Sequence, residues 1–191
     1  NADGHAIFGS SGRIVANLEV KICDAEGNEV PAGTKGEIVI RGENVMAGYW
    51  KNPEATAKTI VDGWLHTGDL GIMDEDGYLH ITGRAKELII RGGENIVPNE
   101  IAGQISSHPD VEDVKVVGVP DEIYGEAICA CIRMREGCTF DEAGMKEFLI
   151  GKLAKYKMPA YYLIYESFPM LASGKADMVN LKKDAAKRCG M

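Results

Sequence analysis

Three short stretches of this 191-residue chain carry side chains suited to phosphate or ribose. The first is Ser173-Gly174-Lys175. Lysine is a mobile point charge, and a neighbouring glycine lets backbone approach an anion. The stretch is not a Walker loop, which would need Gly at position 169 and Ser or Thr at 176, where the chain has Pro169 and Ala176. The second is Thr67-Gly68-Asp69. A carboxylate at the edge of a turn can accept two hydrogen bonds from a ribose diol. The third, Gly83-Arg84, offers a planar cation to a phosphate or ribose oxygen. Each has a plainer reading: an exposed turn lysine, a turn aspartate, a structural salt bridge. On residue type alone those plainer readings are favoured.

Other reactive types form no pattern. His5, His66, His80 and His108 lack metal-ligand spacing, and no Ser or Cys arrangement completes a triad. His66 adjoins Thr67 and could lie near a nucleotide. Asp74-Glu75-Asp76-Gly77 has the acidic start of a calcium loop but lacks its later ligands and closing Glu, so it reads as a hairpin turn. The five cysteines are odd in number and irregular in spacing, which excludes a disulfide framework. Cys129-Ala130-Cys131 fits two reduced thiols on one face of a strand in a cytosolic protein.

The elements that must position these residues fall into two kinds. Up to about position 84 the chain reads as strands and tight turns. Leu18 to Ile22, Gly36 to Arg41, Asp69 to Met73 and Tyr78 to Ile81 are strands, interrupted by one helix with Asn52 as N-cap, Pro53 at its first position and Ala55 to Val61 following. A short strand, Glu87 to Ile90, then leads into Arg91-Gly92-Gly93, and helix and strand alternate. A helix is expected from Pro98 to His108, strands over Val114 to Val119 and Ala127 to Met134, and a helix opened by the capping box Thr139-Phe140-Asp141-Glu142. That helix places Met145, Phe148, Leu149 and Leu153 on one face. A strand over Tyr161 to Tyr165 and a last helix from Asp177 to Lys187 follow. The sum is α+β, with the best domain boundary at Gly83-Arg84-Ala85-Lys86.

Composition narrows the function. The net charge of -8 and the lack of a long basic run argue against nucleic acid or an anionic membrane as partner. Lys182-Lys183 and Lys187-Arg188 read as the solvated face of the last helix. No apolar run approaches the ~20 residues of a membrane span and no signal peptide is visible, so a cytoplasmic protein is expected. The chain begins at Asn1 rather than Met, so a processed or truncated polypeptide is expected.

Taken in register, the motifs resemble the adenylate-forming superfamily. They are Gly36-Glu37-Ile38-Val39-Ile40-Arg41-Gly42 with Gly48-Tyr49-Trp50, Trp64-Leu65-His66-Thr67-Gly68-Asp69-Leu70, and Gly83-Arg84-Ala85-Lys86-Glu87. His108-Pro109 through Val117-Gly118-Val119-Pro120-Asp121 to Gly125-Glu126, and Ser173-Gly174-Lys175, complete the set. The resemblance implies that residues 1–84 are the β-rich end of a large adenylation domain, a distorted antiparallel β-barrel segment, and that 85–191 are its small mobile α+β C-terminal domain. It implies a parent enzyme that joins a carboxylic acid to CoA with ATP and Mg2+, through an acyl-adenylate and with domain alternation between the two steps. By position, Asp69 resembles the ribose-binding acid, Arg84 the nucleotide-contacting arginine, Lys86 the hinge residue and Lys175 the catalytic lysine. Arg91-Gly92-Gly93-Glu94-Asn95 resembles the loop lining the pantetheine tunnel.

The chain departs from the family pattern at Leu171, where Thr is usual, at Met178, where a basic residue is common, and at Ala102, where an acid is common. These changes put in doubt how the lysine loop is anchored and whether CoA phosphates are gripped there. The family's phosphate loop, adenine-contacting motif and acyl pocket lie in an N-terminal domain not among these residues. That missing domain is the expected partner, and the chain by itself is expected to be inactive. An adenylation enzyme that loads a carrier protein, a luciferase-like oxygenase and a non-catalytic interaction module remain alternatives.

Overall fold

The computed structural model describes Ile7 and residues 9–191. His5 and the first residues of the barrel reading lie outside the described residues. The chain forms two compact units, one ending at Lys86 and the other running from Glu87 to Met191.

The first unit is a curled antiparallel sheet. Its strands are β1 (Gly12–Arg13), β2 (Leu18–Cys23), β3 (Lys35–Gly42), β4 (Ile60–Val61), β5 (Trp64–Met73) and β6 (Tyr78–Arg84), with helix α1 (Pro53–Thr59) between β3 and β4. The order is β1-β6-β5-β3-β2, and β4 pairs with β5 beside Trp64 and Leu65. Asn52 Oδ1 accepts from the Ala55 N–H at 3.0 Å and caps α1 as expected. The helix ends earlier than its sequence suggests. Ile60 and Val61 are β-branched and pair with β5 instead of continuing the helix. Asp62 at φ 50 and Gly63 at φ 79 then reverse the chain. The β5–β6 hairpin turns at Asp74 to Gly77, with Gly77 at φ 78 in the left-handed region.

The second unit begins with a single 3-10 turn, Ala85–Glu87 straddling the division, where a strand starting at Glu87 is expected. Then follow β7 (Ile89–Arg91), β8 (Glu94–Ile96), α2 (Pro98–Ser106), β9 (Val111–Asp121), β10 (Gly125–Met134), α3 (Glu142–Leu149), β11 (Tyr161–Ile164) and α4 (Met178–Arg188). β10 pairs along its length with β9. Its other edge is shared: Gly125 pairs with Arg91 of β7, and Cys129 to Ile132 run parallel to β11.

Strand alternation sorts β10 onto two cores. Ile128, Ala130 and Ile132 pack with Ile101 and Ile105 of α2 and Met145 and Leu149 of α3. Ala127, Cys129 and Cys131 pack with Leu181 and Ala185 of α4. A strand covered on both faces reads as a continuous apolar run, which Ala127 to Ile132 does. Both cysteines are free and buried. Their hydrogen bond and burial push the Cys129 thiol well up, so it stays protonated.

Asp141, not Thr139, caps α3: its Oδ1 accepts from the Ala143 N–H at 3.0 Å. Leu153 lies beyond the helix end but joins the same core as Met145 and Leu149. The last helix is less freely solvated than its charge pattern suggests. Lys182 Nζ donates to Glu126 Oε1 at 2.7 Å, and Arg188 Nη2 donates to the Ile164 carbonyl at 3.0 Å.

Candidate functional site

In the first unit the residues nominated for nucleotide contact meet. Asp69 of β5 lies opposite Arg84 of β6. Arg84 Nε stands 3.0 Å from Asp69 Oδ1, with the arginine side chain 64% exposed and the aspartate 29%. The structural salt bridge is therefore formed, yet its arginine side is open to solvent and the contact uses one nitrogen and one oxygen. What remains can receive a diol on the carboxylate and an anion on the guanidinium.

The local backbone explains why Asp69 stands where it does. Thr67-Gly68-Asp69 is not a terminal turn but a bulge inside β5. Glu37 pairs with Leu70 and Val39 with His66, so two steps on β3 oppose four on β5. Gly68 takes φ 71 there. Thr67 Oγ1 donates to the Ile38 carbonyl at 2.7 Å and accepts from the Asp69 N–H at 3.1 Å. Glu37 supplies the rest: Oε1 accepts from the Gly68 N–H at 3.0 Å and Oε2 lies 2.9 Å from His66 Nδ1. Sequence reasoning missed Glu37. The residue stands in the stretch Gly36 to Gly42, but its partners are 29 and 31 positions away. Lys86 is exposed within the single turn Ala85–Glu87.

In the second unit, Arg91 to Asn95 form the tip of the β7–β8 hairpin, with Arg91 paired to Glu94. Gly92 at φ 59 and Gly93 at φ 87 make the two-residue turn, which asks for positive φ at both places. A Cβ on Gly93 would meet open space, whereas one on Gly92 would stand 3.3 Å from the Tyr124 ring. Arg91 stacks 4.8 Å over Tyr124 and donates from Nη1 to the Tyr156 carbonyl at 2.8 Å. Tyr124 and Tyr156 were not foreseen, since neither stands in the hairpin.

Lys175 sits on a second tight turn. The Leu171 N–H donates to the Lys175 carbonyl at 2.8 Å and the Gly174 N–H to the Leu171 carbonyl at 2.9 Å, with Gly174 at φ 79. This backbone closure anchors the loop in a way that does not use a threonine at position 171, where the Leu171 side chain is exposed. The Lys175 ammonium is exposed and has no side-chain partner among the described residues. Met178 and Ala102, the other departures, pack against the two cores, so both positions serve packing here. Among the described residues no group of three or more His, Cys, Asp or Glu is disposed to hold a metal, and no helix is long and apolar enough to cross a membrane.

Comparison with known proteins matches residues 1–50 to the AMP-binding enzyme family and 100–175 to the AMP-binding enzyme C-terminal domain. The mitochondrial medium-chain acyl-CoA ligase of Rattus norvegicus is 44% identical over 92% of this chain and 29% of its own length. The indoleacetate–CoA ligase of Aromatoleum aromaticum is 39% identical over 100% of this chain and 37% of its own. Among solved structures, ATP-bound MatB from Rhodopseudomonas palustris aligns with a TM-score of 0.92 at 37% identity, covering 97% of this chain and 37% of that one. The anthranilate CoA ligase AuaEII in complex with anthranoyl-AMP aligns with a TM-score of 0.89 at 31% identity, covering 98% of this chain and 37% of that one. The chain thus spans about a third of the length of these relatives.

Proposed function

Because this chain belongs to the AMP-binding enzyme family of adenylate-forming proteins, we propose that it is the C-terminal portion of an ATP-dependent carboxylate–CoA ligase. The observation that carries the reading is the Asp69–Arg84 pair, a largely shielded carboxylate on a braced bulge beside an exposed guanidinium. It is the constellation a nucleoside monophosphate needs: acceptors for the ribose hydroxyls and a cation for the phosphate. CoA ligases acting on medium-chain acids and indoleacetate among the relatives support the same reaction class.

In the first step an acid carboxylate oxygen attacks the α-phosphorus of ATP and pyrophosphate leaves. Negative charge builds on the transferring phosphate and on the leaving group. Lys175, an exposed ammonium on a hydrogen-bonded turn, stabilises that charge more in the transition state than in the ground state. In the second step the CoA thiol attacks the acyl carbonyl and AMP leaves, retained until then by Asp69 and Arg84. The Arg91–Asn95 hairpin lines the path of the pantetheine chain, its open side at Gly93 admitting a thin substrate close to backbone. Residues 1–84 close the large domain, residues 85–191 form the mobile one, and Lys86 is the hinge. A turn of three residues at an element end suffices for a hinge. Magnesium has no ligand set among the described residues and accompanies ATP in this scheme, so no step is assigned to it. The acyl pocket belongs to the missing N-terminal domain.

The test uses the full-length protein with ATP, magnesium and a panel of carboxylic acids, following pyrophosphate and AMP with and without CoA. CoA-dependent turnover is expected, with Lys175→Ala lowering adenylation by about 100- to 1,000-fold, as for loss of one transition-state donor. The same assay on residues 1–191 alone yields no acid-dependent pyrophosphate. Adenylate formation indifferent to CoA would replace the acceptor by a carrier protein or oxygen, and robust activity of the chain alone would overturn the two-part scheme.

A further inference from the structure

Gly118 lies in the middle of β9, away from any turn and outside the left-handed region. A glycine inside a strand weakens it and marks a close approach. Here the approach is by Glu126. A Cβ on Gly118 would stand 2.8 Å from Glu126 Cδ and Oε1 and 3.0 Å from Oε2. The missing side chain makes room for a carboxylate on the neighbouring strand.

Both oxygens of that carboxylate are used. Oε2 accepts from the Ile90 N–H at 2.8 Å, and Oε1 accepts from Lys182 Nζ at 2.7 Å. The Ile90 bond has a clear structural reason. β7 meets β10 at one register pair only, Arg91 with Gly125. One residue earlier, the Glu126 side chain supplies the acceptor that a continued ladder would have supplied. On the other side of the pair the Gly92 N–H donates to the Tyr124 carbonyl at 2.8 Å. Glu126 therefore joins three elements, β7, β10 and α4, immediately behind the Gly92-Gly93 turn.

We propose that Glu126, braced by Lys182 and accommodated by Gly118, is a positioning residue that clamps the Arg91–Asn95 hairpin for the thiol-transfer step. The inference rests on the reading of that hairpin as the pantetheine path. Glu126 reaches the reaction only through Ile90 and the backbone that follows. A displacement of the turn by about 1 Å would cost the second step up to about 100-fold, while the adenylation step, which does not use the hairpin, would be spared.

The experiment measures the two half-reactions separately in the full-length protein. Acid-dependent pyrophosphate exchange reports adenylation, and single-turnover thioester formation from preformed adenylate reports thiol transfer. For Glu126→Ala the expected outcome is exchange within about two-fold of wild type and thiol transfer slowed by about 10- to 100-fold, with a raised KM for CoA. Glu126→Gln keeps an oxygen for the Ile90 N–H and restores most of the rate, and Lys182→Ala falls between. Hydrogen exchange of the peptide containing Ile90 speeds up in Glu126→Ala and not in Glu126→Gln. Equal losses in both half-reactions, or none, overturn the proposal while leaving the ligase reading intact. So does Ile90 exchange that is as fast in wild type as in Glu126→Ala. A wild-type protein that adenylates but ignores CoA overturns the ligase reading, and this role with it.

Discussion

Asp69 owes its place to contacts on its own strand and on both neighbouring strands. Thr67 Oγ1 holds its N–H, Glu37 fixes the preceding glycine, and Arg84 pairs with its carboxylate. The ion pair itself is exposed on the arginine side and is worth little to stability. On the reading proposed above, the bracing orients a carboxylate for a ligand. Asp69→Asn keeps the size and one acceptor oxygen but removes the charge. A hydrogen bond to a charged group is worth about 1.5–3 kcal/mol, which corresponds to a rise in KM for ATP of about 10- to 150-fold with little change in thermal stability. Steady-state kinetics of the full-length protein at varied ATP checks this, and a KM within about two-fold of wild type would remove Asp69 from the ribose role. The candidate residues stand out only through the family motifs that contain them, since residue type alone favours the plainer readings. The roles of Glu37 and Glu126 were not legible, because each acts on a strand distant in sequence, and only the register of the sheets brings them to their partners.

The same limit appears among the elements. Pro53 behind Asn52 specified the start of α1 locally, but its end depended on β5 pairing with Ile60 and Val61. Thr139 and Asp141 both suit an N-cap, and the chain uses the one nearer the residues that pack, since α3 must present Met145 and Leu149 to the core. The β5–β6 hairpin is encoded more completely. Asp74 Oδ1 accepts from the N–H groups of Asp76 and Tyr78 at 3.1 and 2.8 Å, and Oδ2 lies 2.9 Å from His80 Nε2. The His80 contact first, then the backbone donors, hold the Asp74 carboxyl below the usual aspartate range. A carboxyl depressed in the folded state binds fewer protons there than in the unfolded chain. Its contribution is complete above the unfolded aspartate pKa and fades as pH falls through the folded one. The stability difference between wild type and Asp74→Ala is therefore expected to shrink steadily as pH falls below about 4. Urea midpoints measured along that series decide it. A difference that persists undiminished into acid would mean that the carboxylate charge plays no part in the turn.

At the scale of the whole molecule the two units are unequally furnished. Among its described residues the first unit buries Ile22, Cys23, Ile38, Val39, Leu70 and Tyr78 and little else that is apolar. The second builds two cores on the two faces of one sheet, with α2 and α3 on one side and α4 on the other. Folding must offset a conformational entropy cost of about 1–2 kcal/mol per residue, and only the second unit has a layered core of the kind that achieves this unaided. The inequality fits a chain whose first unit completes a larger domain, and whose second is a body able to move as one piece. Residues 87–191 expressed alone are accordingly expected to unfold in a single cooperative transition, with slow hydrogen exchange across β9 and β10. Residues 1–86 alone are expected to show no cooperative transition and rapid exchange throughout. Circular dichroism during thermal unfolding, with exchange on both pieces, measures the contrast. A first unit that folds cooperatively by itself would show that its sheet is self-sufficient and would remove this argument for a missing domain beside it. A second unit that fails alone would mean that its two cores depend on contacts outside residues 87–191, and the mobile-domain reading would lose its physical basis.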